Sequence, residues 1–482
     1  MNPLQRLFGN TTLAYISNIV VKLGSSVLFI FIGRILGPAD AGIFNLGITF
    51  FTIILALSDL GLQELFVREV APRREESGRY LTNYLVMRTI LVVIGYAILF
   101  LLIYFLLPYQ PETKTVILIL GLAVLPEALF ALFQALFVAH ERLLVPTLAA
   151  VANSGFKLGV GFWLLINDFP VTTIAWVMPI GSALSLLILL PGLLRLFRHI
   201  PQKIAGRLDF AFSLTQLRYM PGFILISTFL TLDFQLDAFL ISLYLNEADI
   251  GWYGAAQTIV LGFWMMATAI RTTLYPVMAR AHQEAPEKLP IIYRRAHQYL
   301  LLVALPIAAG ITLLAPPIVR LVYADDFDAA IPALQIMIWA VVFAFINVPN
   351  ARLVLVRNRQ KQAGWMTGIS MIVNVVLNLL LIPRYGIVGA AAARTTATAV
   401  LFFQLYGYSQ LYLNVESILP LVLRPLLATL IMAAAVWPIR HLPLFWPIIT
   451  GIIIYGAAAY FLKAIPEEAR RRLWQLPISR AR

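Results

Sequence analysis

The sequence has no cysteine, which removes disulfides, thiolate nucleophiles and cysteine-based metal sites together. Charge is scarce as well. Only 12% of the 482 residues are charged and 61% are hydrophobic, against about 25% charged in a soluble domain. With a mean hydropathy of +0.85, the chain must bury its surface in a bilayer. No GxxxxGK[ST] stretch is present, so the chain does not drive itself with ATP through a P-loop. HExxH is missing too, and His140, His199, His282, His297 and His441 are scattered near the ends of apolar runs rather than clustered for a metal. The first apolar run carries Lys22 and lacks a small-x-small cleavage site, so it reads as a retained helix and no signal peptide.

What is abundant is long apolar sequence. Runs of about 20 residues, the length that crosses a bilayer, fall near 11–33, 42–64, 80–107, 115–139, 145–167, 171–196, 219–244, 252–279, 297–321, 329–351, 363–383, 388–412, 418–439 and 444–464. The fold class expected is therefore an all-α polytopic membrane protein of about fourteen transmembrane helices. The net charge of +13 is distributed unevenly. Arg68, Arg73, Arg74 and Arg79, then Arg195 to Arg207, Arg280 to Arg295, Arg352 to Lys361 and Arg470 to Arg472 lie in alternate connections. The intervening connections, NDFP (167–170), NEAD (246–249) and ADDFD (324–328), are acidic or nearly free of positive charge. A bias of roughly 25 to about 5 places the basic side, and both termini, in the cytoplasm. A multi-pass protein of the cytoplasmic membrane is the expectation.

One stretch is written twice. Leu36 to Thr49 reads LGPADAGIFNLGIT, and Leu245 to Thr258 reads LNEADIGWYGAAQT, about 209 residues later. The longest cytoplasmic link, near 196–218, separates two sets of six helices that begin on the same side, which is a parallel repeat. The expected organisation is an N-lobe over 1–205, a C-lobe over 206–415, and helices 13 and 14 with a basic tail over 416–482. Two such lobes face each other across a central cavity and rock to expose it alternately, with Gly37, Gly42 and Gly251 at the ends of the hinge helices. Those glycines equally suit a tight turn alone.

Polar stripes mark the helices beside the repeat. Thr11, Tyr15, Asn18, Lys22 and Ser25 recur at helical spacing, as do Asn45, Thr49, Thr52, Asp59 and Gln63, and Tyr253, Gln257, Trp264, Thr268, Arg271 and Tyr275. In lipid such a stripe must face protein or water; helix packing explains isolated Asn and Thr residues equally well. Charges at membrane depth cost about 2.5–3.5 kcal/mol each, so each needs a reason. Lys22, Arg271 and Arg394 are the candidates for an electropositive lumen that binds phosphate, with Asn18 and Gln257 beside them and Arg88 and Lys157 as further deep cations. The deep anions are Asp59, Glu127, Asp233 and Asp237. Glu127 and Lys157 sit at similar depth on neighbouring helices and suit an ion pair. Arg424 suits a snorkelling position. Asp233 and Asp237, four apart, either bind a coupling proton or sodium ion or neutralise lumen cations.

Three blocks carry a family resemblance. GRILGPADAGIFNLGITFFTIILALSDLGLQELFVREVA (33–71) resembles the N-terminal signature of polysaccharide-exporting flippases of the Wzx type, within the MOP superfamily that also holds MATE exporters and lipid II flippases. LDFQLDAFLISLYLNEADIGWYGAAQTI (232–259) is similar to the start of their second lobe, and VNVVLNLLLIPRYGIVGAAAARTTATAV (373–400) to their C-terminal region. The resemblance implies a non-enzymatic flippase, acting as a monomer without a cofactor. It would carry a polyprenyl-pyrophosphate-linked oligosaccharide to the outer leaflet by alternating access and meet polysaccharide-assembly enzymes there. An ion gradient or downhill removal of product would supply the energy. The alternatives are a cation-coupled multidrug exporter, a lipid II-type flippase, a passive scramblase, and a membrane polysaccharide polymerase or ligase; the last normally needs a large external loop, and none is visible. Nucleic acid is not an expected partner, because the positive charge is explained by topology.

Overall fold

The computed structural model describes residues 21, 23–198, 208–209, 221–413 and 417–466, with backbone alone for 221–231 and Leu413. Among the described residues no strand occurs. The first unit opens with α1 (Leu23–Leu36), α2 (Pro38–Asp59), α3 (Leu62–Val70) and α4 (Ser77–Leu101). It continues with α5 (Pro111–Leu122), α6 (Val124–Ala139), α7 (Leu144–Ile166), α8 (Val171–Ala175), α9 (Val177–Arg198) and α10 (Pro221–Ser242). Then come α11 (Glu247–Glu284), α12 (Leu289–Tyr323), α13 (Ala330–Val356), α14 (Gln360–Leu413), α15 (Leu419–Val436) and α16 (Phe445–Phe461).

Every expected apolar run overlaps helix over its described residues, and among the described residues ten helical stretches are long and apolar enough to cross a membrane. This is a multi-pass membrane protein. Several runs differ in detail from the hydropathy reading, and the fourth and sixth break at Ala123 and Trp176. The second run is interrupted at Leu60 and Gly61, both left-handed (φ 43° and 79°), so it divides into α2 and α3 where Gly61 tolerates the turn. The eleventh and twelfth runs follow one another without a loop. The chain reverses at Gly386 (φ 58°), and Ser370 Oγ on one arm of α14 donates to Ala397 O on the other at 2.7 Å.

Contacts divide the chain into two compact units, 1–254 and 255–482. In the first, α2 lies against α4, α5, α6 and α10, and α7 against α9. Leu65, Phe66, Tyr84, Leu132, Leu136 and Leu189 form part of its core. In the second, α13 packs on α12 and α14, while α15 packs on α12 and α16. Side chains such as Phe105, Leu187, Ile372 and Ile452 are more than half exposed, the surface a bilayer covers rather than water.

Candidate functional site

The repeated stretch brings two backbones into close approach in the first unit. Gly37 (φ 91°) precedes Pro38 at the first turn of α2, where proline's missing N–H is no loss. At the second copy Asn246 Oδ1 accepts from Asp249 N (3.0 Å) and Asp249 Oδ2 from Asn246 N (3.3 Å), a reciprocal cap that starts α11. The two helix starts then cross. A Cβ on Gly42 would lie 1.7 Å from Glu247 O and 2.9 Å from Gly251 N; one on Gly251 would lie 2.0 Å from Pro38 O. Polar contacts surround the crossing: Asn45 Nδ2 donates to Ile250 O (3.4 Å), Thr113 Oγ1 to Glu247 Oε1 (3.2 Å), and Tyr109 Oη lies 2.6 Å from Ser242 Oγ. Burial pushes the Tyr109 phenol up to about 12, so it stays a protonated donor. Of the three glycines expected at a hinge, Gly42 and Gly251 sit where only hydrogen fits between two backbones, whereas Gly37 has nothing within 4 Å of its Cβ position and is needed for its positive φ.

The deep charges of the first unit have close neighbours. Arg88, 2% exposed, has Nη1 2.8 Å from Asp59 Oδ1 across α4 and α2, and Glu64 lies within electrostatic reach of both. Asp237 is fully buried and accepts a hydrogen bond from the Tyr253 hydroxyl at 2.6 Å. Asp233, one turn earlier, is half-buried and has partners of its own. Glu127 accepts from Ser182 Oγ at 2.7 Å. Lys157 feels the Glu127 charge and packs its stem near Gly181, beside Asn153. Lys22 and Asn18 lie outside the described residues.

In the second unit the structure brings together two cations of which sequence reasoning singled out one. Arg271 on α11 lies within electrostatic reach of Arg352 on α13, whose guanidinium is 5.7 Å from the Tyr275 ring centroid. Arg352 Nε is buried without a hydrogen-bond partner. No carboxylate pairs with either arginine among the described residues. The sequence groups Arg352 with the cytoplasmic anchors because it follows the end of an apolar run; α13 in fact continues to Val356, leaving Arg352 half-buried on the helix. The signal available was helical phase, since Arg271 and Tyr275 stand four apart. Arg394 is 4% exposed on α14 and, like Gln257 on α11, is engaged by neighbours. His297 also moves from a run's end to a helix interior. α12 begins at Leu289, two turns earlier than hydropathy places it, and His297 is fully buried with Nδ1 3.0 Å from Tyr293 O.

Residues 7–282, more than half of the chain, match the family described as polysaccharide biosynthesis protein. The chain belongs to that family. Residues 223–380 also match the MatE family. Within the polysaccharide biosynthesis family's reach, a similar curated protein is the "Probable low-salt glycan biosynthesis flippase Agl15" of Haloferax volcanii, 22% identical over 249 residues. That alignment covers 50% of this chain and 53% of the relative, so the chain spans about half the length of the curated protein it matches. Among solved structures, "Lipid II flippase MurJ, inward closed conformation" superposes with a TM-score of 0.75 at 15% identity, over 95% of this chain and 99% of that one. An inward-facing multidrug resistance MATE family transporter of the MOP superfamily gives 0.69 at 16% identity, over 82% and 94%. At these identities the likeness establishes the fold.

Proposed function

We propose that this polysaccharide biosynthesis family member is a flippase. It moves a polyprenyl-pyrophosphate-linked oligosaccharide from the cytoplasmic to the outer leaflet by alternating access, the lobe over 1–205 rocking against the one over about 210–415. The observation that carries the reading is the Arg271–Arg352 pair with Tyr275 beside it. Two like charges within electrostatic reach of each other, Arg271 exposed and Arg352 half-buried, repel one another and cost solvation. A diphosphate repays that cost with charge-assisted hydrogen bonds to guanidinium forks. Membership of a polysaccharide family and the name of the haloarchaeal relative support a glycan on the lipid.

The test is reconstitution in liposomes with lipid-linked oligosaccharide, scoring its appearance on the far leaflet with and without an ion gradient. Arg271→Ala and Arg352→Ala should each reduce the initial rate by about 10–150-fold, the range that losing one charged hydrogen bond worth ~1.5–3 kcal/mol corresponds to. Both variants should insert and elute as the parent does. Parental rates in both would remove the cationic site from the mechanism.

A further inference from the structure

Away from the Arg271–Arg352 pair, the turn between α13 and α14 gathers cations that transport does not use. α13 closes with Asn358 in the left-handed region (φ 56°); Arg359 N donates to Val354 O and Asn358 N to Leu355 O, both at 3.0 Å. This doubly bonded cap fixes the turn and sets Arg357 and Arg359 on either side of it. Both guanidinium charges reach Tyr408, which packs with Val354, Ala363 and Met366 and whose ring centroid is 4.3 Å from that of Tyr412. Arg357 Nε is buried and makes no hydrogen bond, while the Tyr408 hydroxyl has Tyr412 as its side-chain neighbour. Neither arginine belongs to an ion pair among the described residues. Lys361 adds a third positive charge one turn on.

A helix C-terminus accounts for one cation near its last carbonyls. It does not account for two further cations at the same turn, one of them with a buried guanidinium nitrogen that costs desolvation until an acceptor arrives. The surface flanking the turn is apolar: Trp365, Leu411 and Tyr412 are 69%, 85% and 42% exposed. A compact anionic group beside an apolar wall is the chemistry of a phospholipid. We propose that Arg357, Arg359 and Tyr408 bind the phosphate of an anionic phospholipid, with its acyl chains lying along Trp365 and Leu411. The site occupies the end of the helices read as cytoplasmic, where anionic lipid concentrates, and it stands whether or not the chain carries a glycan.

The full chain in nanodiscs, titrated with a fluorescent phosphatidylglycerol against phosphatidylcholine, tests it. The preference for phosphatidylglycerol should fall about fivefold per arginine in Arg357→Gln and Arg359→Gln, the ratio that ~1 kcal/mol per basic residue gives. Arg357→Lys should retain part of it. Arg440→Gln, which removes a cation stacked 3.6 Å over Trp437 in another connection, should change nothing. An unchanged preference in the double variant overturns the site, and so does an equal loss in Arg440→Gln. Inorganic phosphate at millimolar concentration should displace the lipid only weakly; complete displacement would mean an ion site and overturn the lipid assignment.

Discussion

Replacing Gly42 with alanine is the sharpest perturbation of the crossing between α2 and α11. The new Cβ would stand 1.7 Å from Glu247 O, whereas a carbon and a carbonyl oxygen rest no closer than about 3.3 Å. The helix starts must therefore separate by about 1.6 Å, the difference between those distances, because the obstacle is backbone and no side chain can swing aside. Gly251→Ala meets Pro38 O at 2.0 Å and needs nearly as much. Overpacking of this kind costs about 1–3 kcal/mol, and if one conformation of the protein contains the crossing and another does not, the equilibrium between them shifts about 5–150-fold. The cysteine-free background permits a direct readout. Cysteines placed at Tyr109 and Ser242, whose oxygens are 2.6 Å apart, should be bridged by a short bifunctional thiol reagent in the parent and several-fold more slowly with Gly42→Ala. Both glycines serve one contact, so the double variant should cost less than the sum of the single ones. Parental cross-linking rates in both single variants would refute the idea that this contact holds the two helix starts together.

Four other groups give measurable outcomes. Arg88→Met or Asp59→Leu alone strands a buried charge and should lower stability by about 3–5 kcal/mol, while the double substitution should recover most of it; thermal unfolding in detergent distinguishes the two. Tyr253→Phe removes the hydroxyl that bonds the fully buried Asp237 and should cost about 1–3 kcal/mol in the same assay. His140, in the connection between α6 and α7, is held below its ordinary value of 6.5 by burial first and by Arg74 and Arg142 after it, against a bond to Leu136 O. Its neutral form is the one the fold prefers, so its contribution is complete above pH 6.5 and is lost as pH falls through the lower folded value. Melting at pH 7.5 and pH 5.5 should show a smaller acid loss in His140→Gln than in the parent. Asp328, outside the spans, is held low by Arg320 through a two-point contact at 2.9 and 2.6 Å; both groups are solvent-exposed, so Asp328→Asn should leave the midpoint unchanged within error.

Hydropathy made the helices legible because a bilayer demands long apolar runs and internal backbone bonding. It misplaced their ends for the same reason. Once backbone bonds are satisfied, a helix continues past the membrane as long as side chains pack, and α12 does so through Tyr293 and His297, both fully buried. Repetition of ADAG and ADIG located the crossing, yet nothing in the residue pattern said that the two copies touch. That contact is set by two helix starts, one opened by Pro38 after Gly37 and one capped by the Asn246–Asp249 exchange, meeting at the positions without a Cβ.

Charge is where depth alone misleads. Arg88 and Arg271 both interrupt apolar sequence, but Arg88 lies 2.8 Å from Asp59 and Arg271 lies within electrostatic reach of a second arginine. The first arrangement neutralises itself and asks for nothing further; the second stays unfavourable until an anion is supplied. A count of basic residues cannot separate them, because the deciding term is the sign of the charges within electrostatic reach across a helix interface. Arg352 makes the point from the other direction. Its place near the end of an apolar run gives it the look of a topogenic anchor, while the extra turn of α13 to Val356 turns the same residue into a half-buried partner of Arg271. The reading then makes a demand that topology alone would not: Arg352→Lys keeps the positive-inside count intact but removes the planar fork, so orientation should be unchanged while transport falls. If Arg352→Lys transports at the parental rate, Arg352 acts as a point charge and the two-fork diphosphate contact is wrong.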